Sequence, residues 1–196
     1  MSRTNFNHTV YFGYTDSSNH PRIAVSDDEG KTWQASLDFS NASGFNIQNA
    51  VFPEVVAGDN DRAAFFFLGT SAPGDGTGDD TKSVFAGTWY GYVATTYNGG
   101  QSWVTVRATA DPVQQGVICT NGTTCPSGTR NLLDFNDMTV DKQGRILAGY
   151  ADGCITSTCV AIVNGTKKEN DKASKATIIR QSGGKRLFAA FDPPTP

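Results

Sequence analysis

Methionine and histidine are scarce in this sequence, and the long apolar and basic runs that mark several protein classes are missing. The 196 residues include 2 methionines and 2 histidines. Runs of Ala, Leu, Glu and Lys of the kind found in helical bundles are also absent, whereas glycine (21 residues) and aromatic residues (11%) are plentiful. This composition favours many short strands joined by tight turns.

These absences exclude several functions. No apolar stretch approaches the roughly 20 residues that span a bilayer, so we expect no membrane span. The net charge is −3 and the most prominent basic pair is Lys167-Lys168, which argues against a nucleic-acid partner. With His8 and His20 as the histidines, one chain cannot supply a site of three His ligands.

The four cysteines form two local pairs in polar turns. Cys119 lies six positions before Cys125, and Cys154 lies five before Cys159. Such pairs predict two disulfides that brace loops, and hence a secreted, periplasmic or otherwise extracellular location. A zinc site built from all four thiolates is the alternative. The first residues lack the apolar core of a signal peptide, so we expect that the natural N-terminus lies upstream.

An eight-residue motif recurs along the chain. Residues 26–33 read SDDEGKTW and fit S-x-D-x-G-x-T-W, and residues 96–103 read TYNGGQSW, with Asn98 in the place of Asp28. A worn third copy covers residues 180–187. In each full copy the Asp or Asn accepts bonds from its own turn, Gly allows a positive φ, and Trp33 or Trp103 tucks beneath the turn. We interpret the motif as a folding device.

A second repeat lies between these motifs. Residues 53–68 and residues 136–150 each read as a strand, a polar turn and a second strand, with a constant offset of 83 positions. The offset aligns Glu54 with Asp137 and predicts two equivalent β-hairpins.

The repeated motif is an Asp box, and the sequence resembles the sialidase (bacterial neuraminidase repeat, BNR) superfamily. The resemblance implies an all-β propeller with about three four-stranded blades in this chain, near residues 1–40, 50–110 and 134–191, followed by a Pro-rich tail at 192–196. The expected strands are Val10–Tyr14, Arg22–Ser26, Trp33–Leu37, Val51–Val56, Ala63–Leu68, Tyr90–Thr96, Trp103–Thr109, Asp137–Val140, Arg145–Tyr150, Ala176–Arg180 and Arg186–Phe191. The first blade would lack its innermost strand.

Propellers bind ligands over the central channel, where the innermost strands converge. Glu54 and Asp137 are candidates there for acid/base catalysis or for a divalent cation such as Ca²⁺, and Arg130 and Asp134 belong to a polar loop beside them. The alternative is that each of these groups only caps a loop or pairs with a nearby arginine. Aromatic residues offer a surface for sugars, or pack between blades. They are Trp89, Tyr90, Tyr92 and Tyr150.

The resemblance implies a hydrolase that acts on a glycoside or a related substrate and needs no cofactor. Sialidases place an arginine in an Arg-Ile-Pro motif, whereas this chain has Arg22-Ile23-Ala24, so that role is not transferred. The alternative is a non-catalytic propeller module that binds a glycan or a protein. Three blades cannot close a ring, which predicts a homodimer of six blades. The alternative is that the chain is a piece of a longer single-chain propeller.

Overall fold

The computed structural model describes residues 9–78, 85–125, 132, 135–157, 159 and 174–194. The chain is built of curled antiparallel sheets, which confirms the predicted all-β class. Sheet 1 consists of β1 (Val10–Thr15), β2 (Pro21–Ser26) and β3 (Leu37–Asp38). Sheet 2 consists of β4 (Asn49–Ala57), β5 (Ala63–Thr70), β6 (Thr88–Thr96) and β7 (Val104–Arg107), with β8 (Gln114–Gln115) paired to the start of β6. Sheet 3 consists of β9 (Asp137–Val140), β10 (Ile146–Asp152) and β11 (Lys175–Arg180).

Sheet 2 lies between the other two sheets, so β5 is buried along its whole length. Phe65 packs edge-on against Phe39 of the sheet 1 side, with ring centroids 5.5 Å apart. Phe66 points the other way and stacks on Tyr150 of sheet 3 at 6.0 Å. A strand covered on both faces reads as a continuous apolar run, which is why AAFFFL shows no alternation.

The first hairpin of sheet 2 (β4–β5) and the first hairpin of sheet 3 (β9–β10) have the same register, and we call them the inner hairpins. Glu54 pairs with Phe66 in one, and Asp137 pairs with Gly149 in the other, at the offset of 83 found in the sequence. The turns match as well, since the N–H of Gly58 donates to the carbonyl of Arg62 just as that of Asp141 donates to Arg145.

Both full Asp boxes are built from the same hydrogen bonds. In the first box, Asp28 accepts bonds from the N–H of Thr32 (2.8 Å) and its hydroxyl (2.7 Å), while Ser26 Oγ accepts from the N–H of Gly30. In the second, Asn98 accepts from the N–H of Ser102 at 3.0 Å, and Thr96 takes the place of Ser26. These contacts depend only on nearby residues, which explains why the motif recurs in different surroundings.

The third copy keeps the shape of the turn but lacks the hydrogen bonds that the Asp or Asn and the Ser or Thr side chains accept in the first two boxes. Gly184 has φ +78°, close to the +83° of Gly30, and Leu187 stands at the tryptophan position, fully buried. The side-chain amide of Gln181 closes the turn instead, since Nε2 donates to the carbonyls of Gly183 (2.8 Å) and Lys185 (2.7 Å).

The two box tryptophans differ in their surroundings, which corrects the expectation that both lie buried beneath their turns. Trp103 is partly buried and packs edge-on against Tyr11 and Phe39 of the sheet 1 side. Trp33 is 46% exposed and contacts Phe12, itself 58% exposed. Trp103 and Leu187 each pack onto the sheet that precedes their own, whereas Trp33 belongs to sheet 1, the first sheet of the described residues.

Acid should weaken the first box more than the second. The backbone N–H and hydroxyl of Thr32 and the hydroxyl of Ser26 lower the pKa of Asp28 to about 2. A folded-state pKa below the unfolded value gives stability that is present above the unfolded pKa and is lost as pH falls towards 2. We expect Asp28→Asn to unfold at a lower urea concentration than wild type at pH 6. The difference between the two urea midpoints should be smaller at pH 3. A difference that stays constant with pH would contradict this account, and Glu29→Gln in the same turn is the control.

The end of the chain departs from the predicted strands. Residues 186–191 were expected to form a strand, but Ala189–Phe191 is a 3-10 turn held to sheet 2. Arg62 Nη1 donates to both carboxylate oxygens of Asp192, at 2.8 and 2.9 Å, and the N–H of Ala189 donates to Asp59. Asp192, assigned to the tail from sequence, is therefore anchored to the body. The expected strand Trp33–Leu37 is also shorter, starting at Leu37.

Candidate functional site

The inner strands β4 and β9 lie side by side, and each carries one of the predicted carboxylates. Glu54 is half-buried on β4, and Asp137 is exposed at the first position of β9. Burial raises the pKa of Glu54, and the nearby negative charge of Asp137 raises it further. The charge of Asp137 thus acts on Glu54 across neighbouring sheets, from the equivalent position of the repeat.

A strained bulge directly precedes Glu54. Val51 pairs with Leu68 and Glu54 pairs with Phe66, so Phe52 and Pro53 oppose one residue of β5. Phe52 has φ +55°, a conformation that costs a non-glycine residue about 1–3 kcal/mol. Such bulges redirect the side chain that follows. The sequence did hold a signal for it, because proline inside a strand is found at bulges and edges.

A buried amide fixes the start of β4. The side chain of Asn49 donates to the carbonyls of Ala72 (3.0 Å) and Gly74 (2.9 Å), and its oxygen accepts from the amide of Asn19 (3.1 Å) and the N–H of Gly76 (3.3 Å). All four bonding positions of the amide are filled. This residue was missed from sequence, because its partners come from two distant turns.

The loop that precedes β9 is described in part. Arg130 and Asp134, two of the predicted catalytic residues, lie outside the described residues. Phe135 is 80% exposed, which is the highest exposure of any large apolar side chain among the described residues. An exposed aromatic ring two positions before Asp137 gives this end of the sheet an apolar surface beside its carboxylates.

Two of the predicted sugar-binding aromatic residues belong to the core, which corrects that expectation. Trp89 is fully buried and its indole N–H donates to the carbonyl of Gly116 at 2.7 Å. Tyr150 is 6% exposed, and burial, followed by the charges of Asp152 and Asp111, raises its pKa to about 12. A buried ring already covered on its face cannot stack on a ligand.

Tyr90 keeps part of its surface, while Tyr92 does not. The guanidinium of Arg107 lies over the Tyr90 ring, 4.6 Å from its centroid. Tyr92 is 6% exposed and packs between Phe67 and Phe45. Tyr90 therefore remains the predicted aromatic residue able to contact a ligand.

A further carboxylate, missed from sequence, lies at the end of β10. Burial raises the pKa of Asp152, and the charge of Asp111 adds to this effect. Its Oδ1 accepts the N–H of Cys154 at 3.0 Å, which joins the strand to a disulfide loop. The fixed hydrogen bond gives Asp152 a positioning role for that loop.

Both predicted disulfides are present, Cys119–Cys125 and Cys154–Cys159. No cysteine is left free, so the zinc alternative is wrong. Two disulfides indicate an oxidising, extracellular-type environment. Among the described residues, no helix has the length and apolarity needed to cross a membrane.

Arg22, the residue nearest in position to the arginine of the Arg-Ile-Pro motif, is committed to an ion-pair cluster. Its Nε lies 2.7 Å from Asp16 and its Nη2 3.1 Å from Asp38. Two carboxylates already neutralise this guanidinium. This agrees with the expectation that Arg22 does not take the substrate-binding role of the arginine in the Arg-Ile-Pro motif. In the described part of the chain, no three His, Cys, Asp or Glu side chains group closely enough to hold a metal ion.

No protein-family model matches the chain, and a search of curated proteins finds no match either. The resemblance to Asp-box propellers therefore rests on the residues of the boxes and of the inner hairpins.

Proposed function

We propose that this chain is about half of an Asp-box propeller and that it works as a hydrolase at the mouth of the central channel. Glu54 acts as the general acid and Asp137 as its carboxylate partner. The observation that carries this proposal is the interaction of two equivalent carboxylates on adjacent inner strands, one of them with a raised pKa.

The raised pKa suits Glu54 to donate a proton. A carboxyl group that keeps its proton above the ordinary range can protonate a leaving group near mildly acidic pH. Asp137 is the more exposed of the two and lies where a water molecule or substrate can reach it. The strained backbone at Phe52 supports the same placement, since strain of this kind clusters at functional sites.

The test is a screen of fluorogenic glycosides and esters against wild type, Glu54→Gln and Asp137→Asn. We expect each variant to lose turnover by about 10²–10⁴-fold, the usual contribution of general acid–base catalysis. Wild-type activity should fall as pH rises through the raised pKa of Glu54. A parallel series with EDTA and with added Ca²⁺ tests whether the carboxylates use a cation.

The matched control is Glu29→Gln, which removes an exposed carboxylate in the turn between β2 and β3. The hydrolase proposal would be contradicted if Glu54→Gln and Asp137→Asn turned over substrate at the wild-type rate. It would also be contradicted if the wild-type protein hydrolysed none of the substrates.

The second candidate function is a glycan-binding module without catalysis, and the exposed ring of Phe135 favours it. Aromatic rings that stand free beside polar groups are suited to stacking on sugars. On this alternative Phe135→Ala would abolish binding to a glycan array, while Glu54→Gln would weaken it only modestly.

The chain completes the propeller as a homodimer, and the repeat identifies the faces that meet. Phe12 pairs with Ala24 in sheet 1 as Phe65 pairs with Ala94 in sheet 2, so the two phenylalanines are equivalent. Phe65 is fully buried against the preceding sheet, whereas Phe12 is 58% exposed. The exposed face of Phe12 and Trp33 therefore matches a face that is covered within the chain.

The far side of sheet 3 shows the same relation. Val93 pairs with Phe66 as Ile178 pairs with Gly149, and Val93 is 7% exposed against 71% for Ile178. A two-fold axis that sets sheet 3 of one protomer on sheet 1 of its partner covers both faces in both copies. It also places two copies of Glu54 around one channel.

A further inference from the structure

Sheet 3 ends on a strand whose outer edge is open. In sheet 2 the third strand, β6, is followed by a fourth, β7, which pairs with it through Tyr92–Arg107 and Thr95–Val104. In sheet 3 the third strand is β11, and among the described strands it pairs with β10 alone. An exposed strand edge offers unpaired N–H and C=O groups to an added strand.

None of the described residues fills this place as a fourth strand. Residues that follow the third box turn away to the inner hairpin of sheet 2, where Asp192 pairs with Arg62 and Asp59 accepts the N–H of Ala189. The N–H of Asp59 also donates to the carbonyl of Leu187 at 2.8 Å. These contacts hold the segment away from β11.

A groove remains beside β11, between sheets 2 and 3, with a volume of about 500 Å³. We call it the rim groove. Its walls are Val104 and Val106 of β7 and Ile179 of β11, with Ile146 and Ala148 also lining it. Val104 is 62% exposed and Val106 51%, so their apolar surface is open to a partner. The volume falls within the range of known ligand sites.

The charge of the rim groove is of one sign. Arg107, Arg180 and Lys185 line it, and among its described lining residues none is Asp or Glu. Lys185 lies 5.9 Å from the centroid of the Tyr97 ring, which also lines the groove. A partner of complementary chemistry is acidic as well as apolar.

We propose that the rim groove binds an extended acidic peptide, which joins β11 as the fourth strand of sheet 3. Side chains alternate along a strand, so every second residue would face Val104, Val106 and Ile179. The acidic residues between them would lie on the opposite face of the sheet, the face of Arg180, which follows Ile179 on β11. Main-chain bonds to β11 supply affinity in this mode of recognition, and the apolar wall and the charges supply specificity.

The experiment uses the full chain and a fluorescein-labelled peptide, acetyl-Glu-Val-Glu-Val-Glu-Val-amide, whose length matches the six residues of β11. We expect saturable binding by fluorescence anisotropy and slower hydrogen exchange across residues 175–180. Lys185→Glu and Val106→Ser should each weaken binding by roughly tenfold, through lost charge and lost apolar contact respectively. Lys142→Glu, the same charge change in an exposed turn, should leave binding unchanged.

Two matched peptides test the mode of binding. A version N-methylated at every residue has no main-chain N–H to give to a strand edge and should not bind, and a version with Lys in place of Glu should bind more weakly. The proposal is overturned if the acidic peptide does not bind, if the N-methylated peptide binds equally well, or if neither variant of the groove reduces binding.

Discussion

Replacement of Gly58 by alanine is expected to lower the free energy of unfolding by about 3–5 kcal/mol, as overpacking with loss of a buried contact does. A Cβ at Gly58 would clash with the carbonyl oxygen of Leu187 and would lie 2.6 Å from its Cβ. The backbone of the third box would have to move away. That movement would withdraw the fully buried Leu187 side chain and would break its hydrogen bond from Asp59.

Gly183→Ala is the matched control for this prediction. Gly183 lies in the same box, where an added Cβ meets no atom within 4 Å. Chemical denaturation of the two variants beside wild type would measure the difference. If Gly58→Ala were as stable as Gly183→Ala, the close packing of the third box on sheet 2 would be wrong.

The two box tryptophans should respond differently to removal. Trp103→Ala should destabilise the protein by about 3 kcal/mol, because the ring packs against Tyr11 and Phe39 between two sheets. Trp33→Ala removes a ring that is 46% exposed within the protomer. Its cost should therefore appear as loss of the proposed dimer, with a smaller change in the unfolding of the separated protomer.

Thermal denaturation at a series of protein concentrations separates these two effects. The melting temperature of a dimer rises with concentration, and this dependence should persist in Trp103→Ala and disappear in Trp33→Ala. The contrary result would be that the two substitutions destabilise the protein equally, with melting temperatures that do not depend on protein concentration. That result would contradict the difference between the two boxes.

The sequence predicted the features that depend on local chemistry. The Asp-box turns need only Asp28 or Asn98, a glycine and a hydroxyl residue within a few positions, so the motif specifies its own geometry. The register of the inner hairpins also followed from the sequence, because the turns at Gly58 and Asp141 are equivalent. Glu54 and Asp137 could be aligned for that reason.

The features that depend on distant contacts could not be predicted in this way. The predicted strand at residues 186–191 has the composition of a strand, but the ion pair between Arg62 and Asp192 draws it onto sheet 2. Aromatic residues on β6 and β10 could not be sorted into core and surface, since sheet 2 is covered on both faces. Trp89 and Tyr150 consequently resembled a ligand surface until their burial was known.

The central claim is that three sheets per chain make half of a closed ring whose channel carries the paired carboxylates. It predicts that the 20.9 kDa chain behaves as a dimer. Substituting Phe12→Asp or Ile178→Asp should separate the protomers, because each introduces a charge into an apolar face that the partner covers. Gln143→Glu adds a charge at an exposed turn of the β9–β10 hairpin and should leave the dimer intact.

Light scattering on the purified protein is the most direct measurement of this claim. The wild-type mass should be about twice 20.9 kDa, while Phe12→Asp and Ile178→Asp should each give the mass of one chain. A wild-type protein that scatters as a single, well-behaved 20.9 kDa chain would contradict the half-ring and the shared channel.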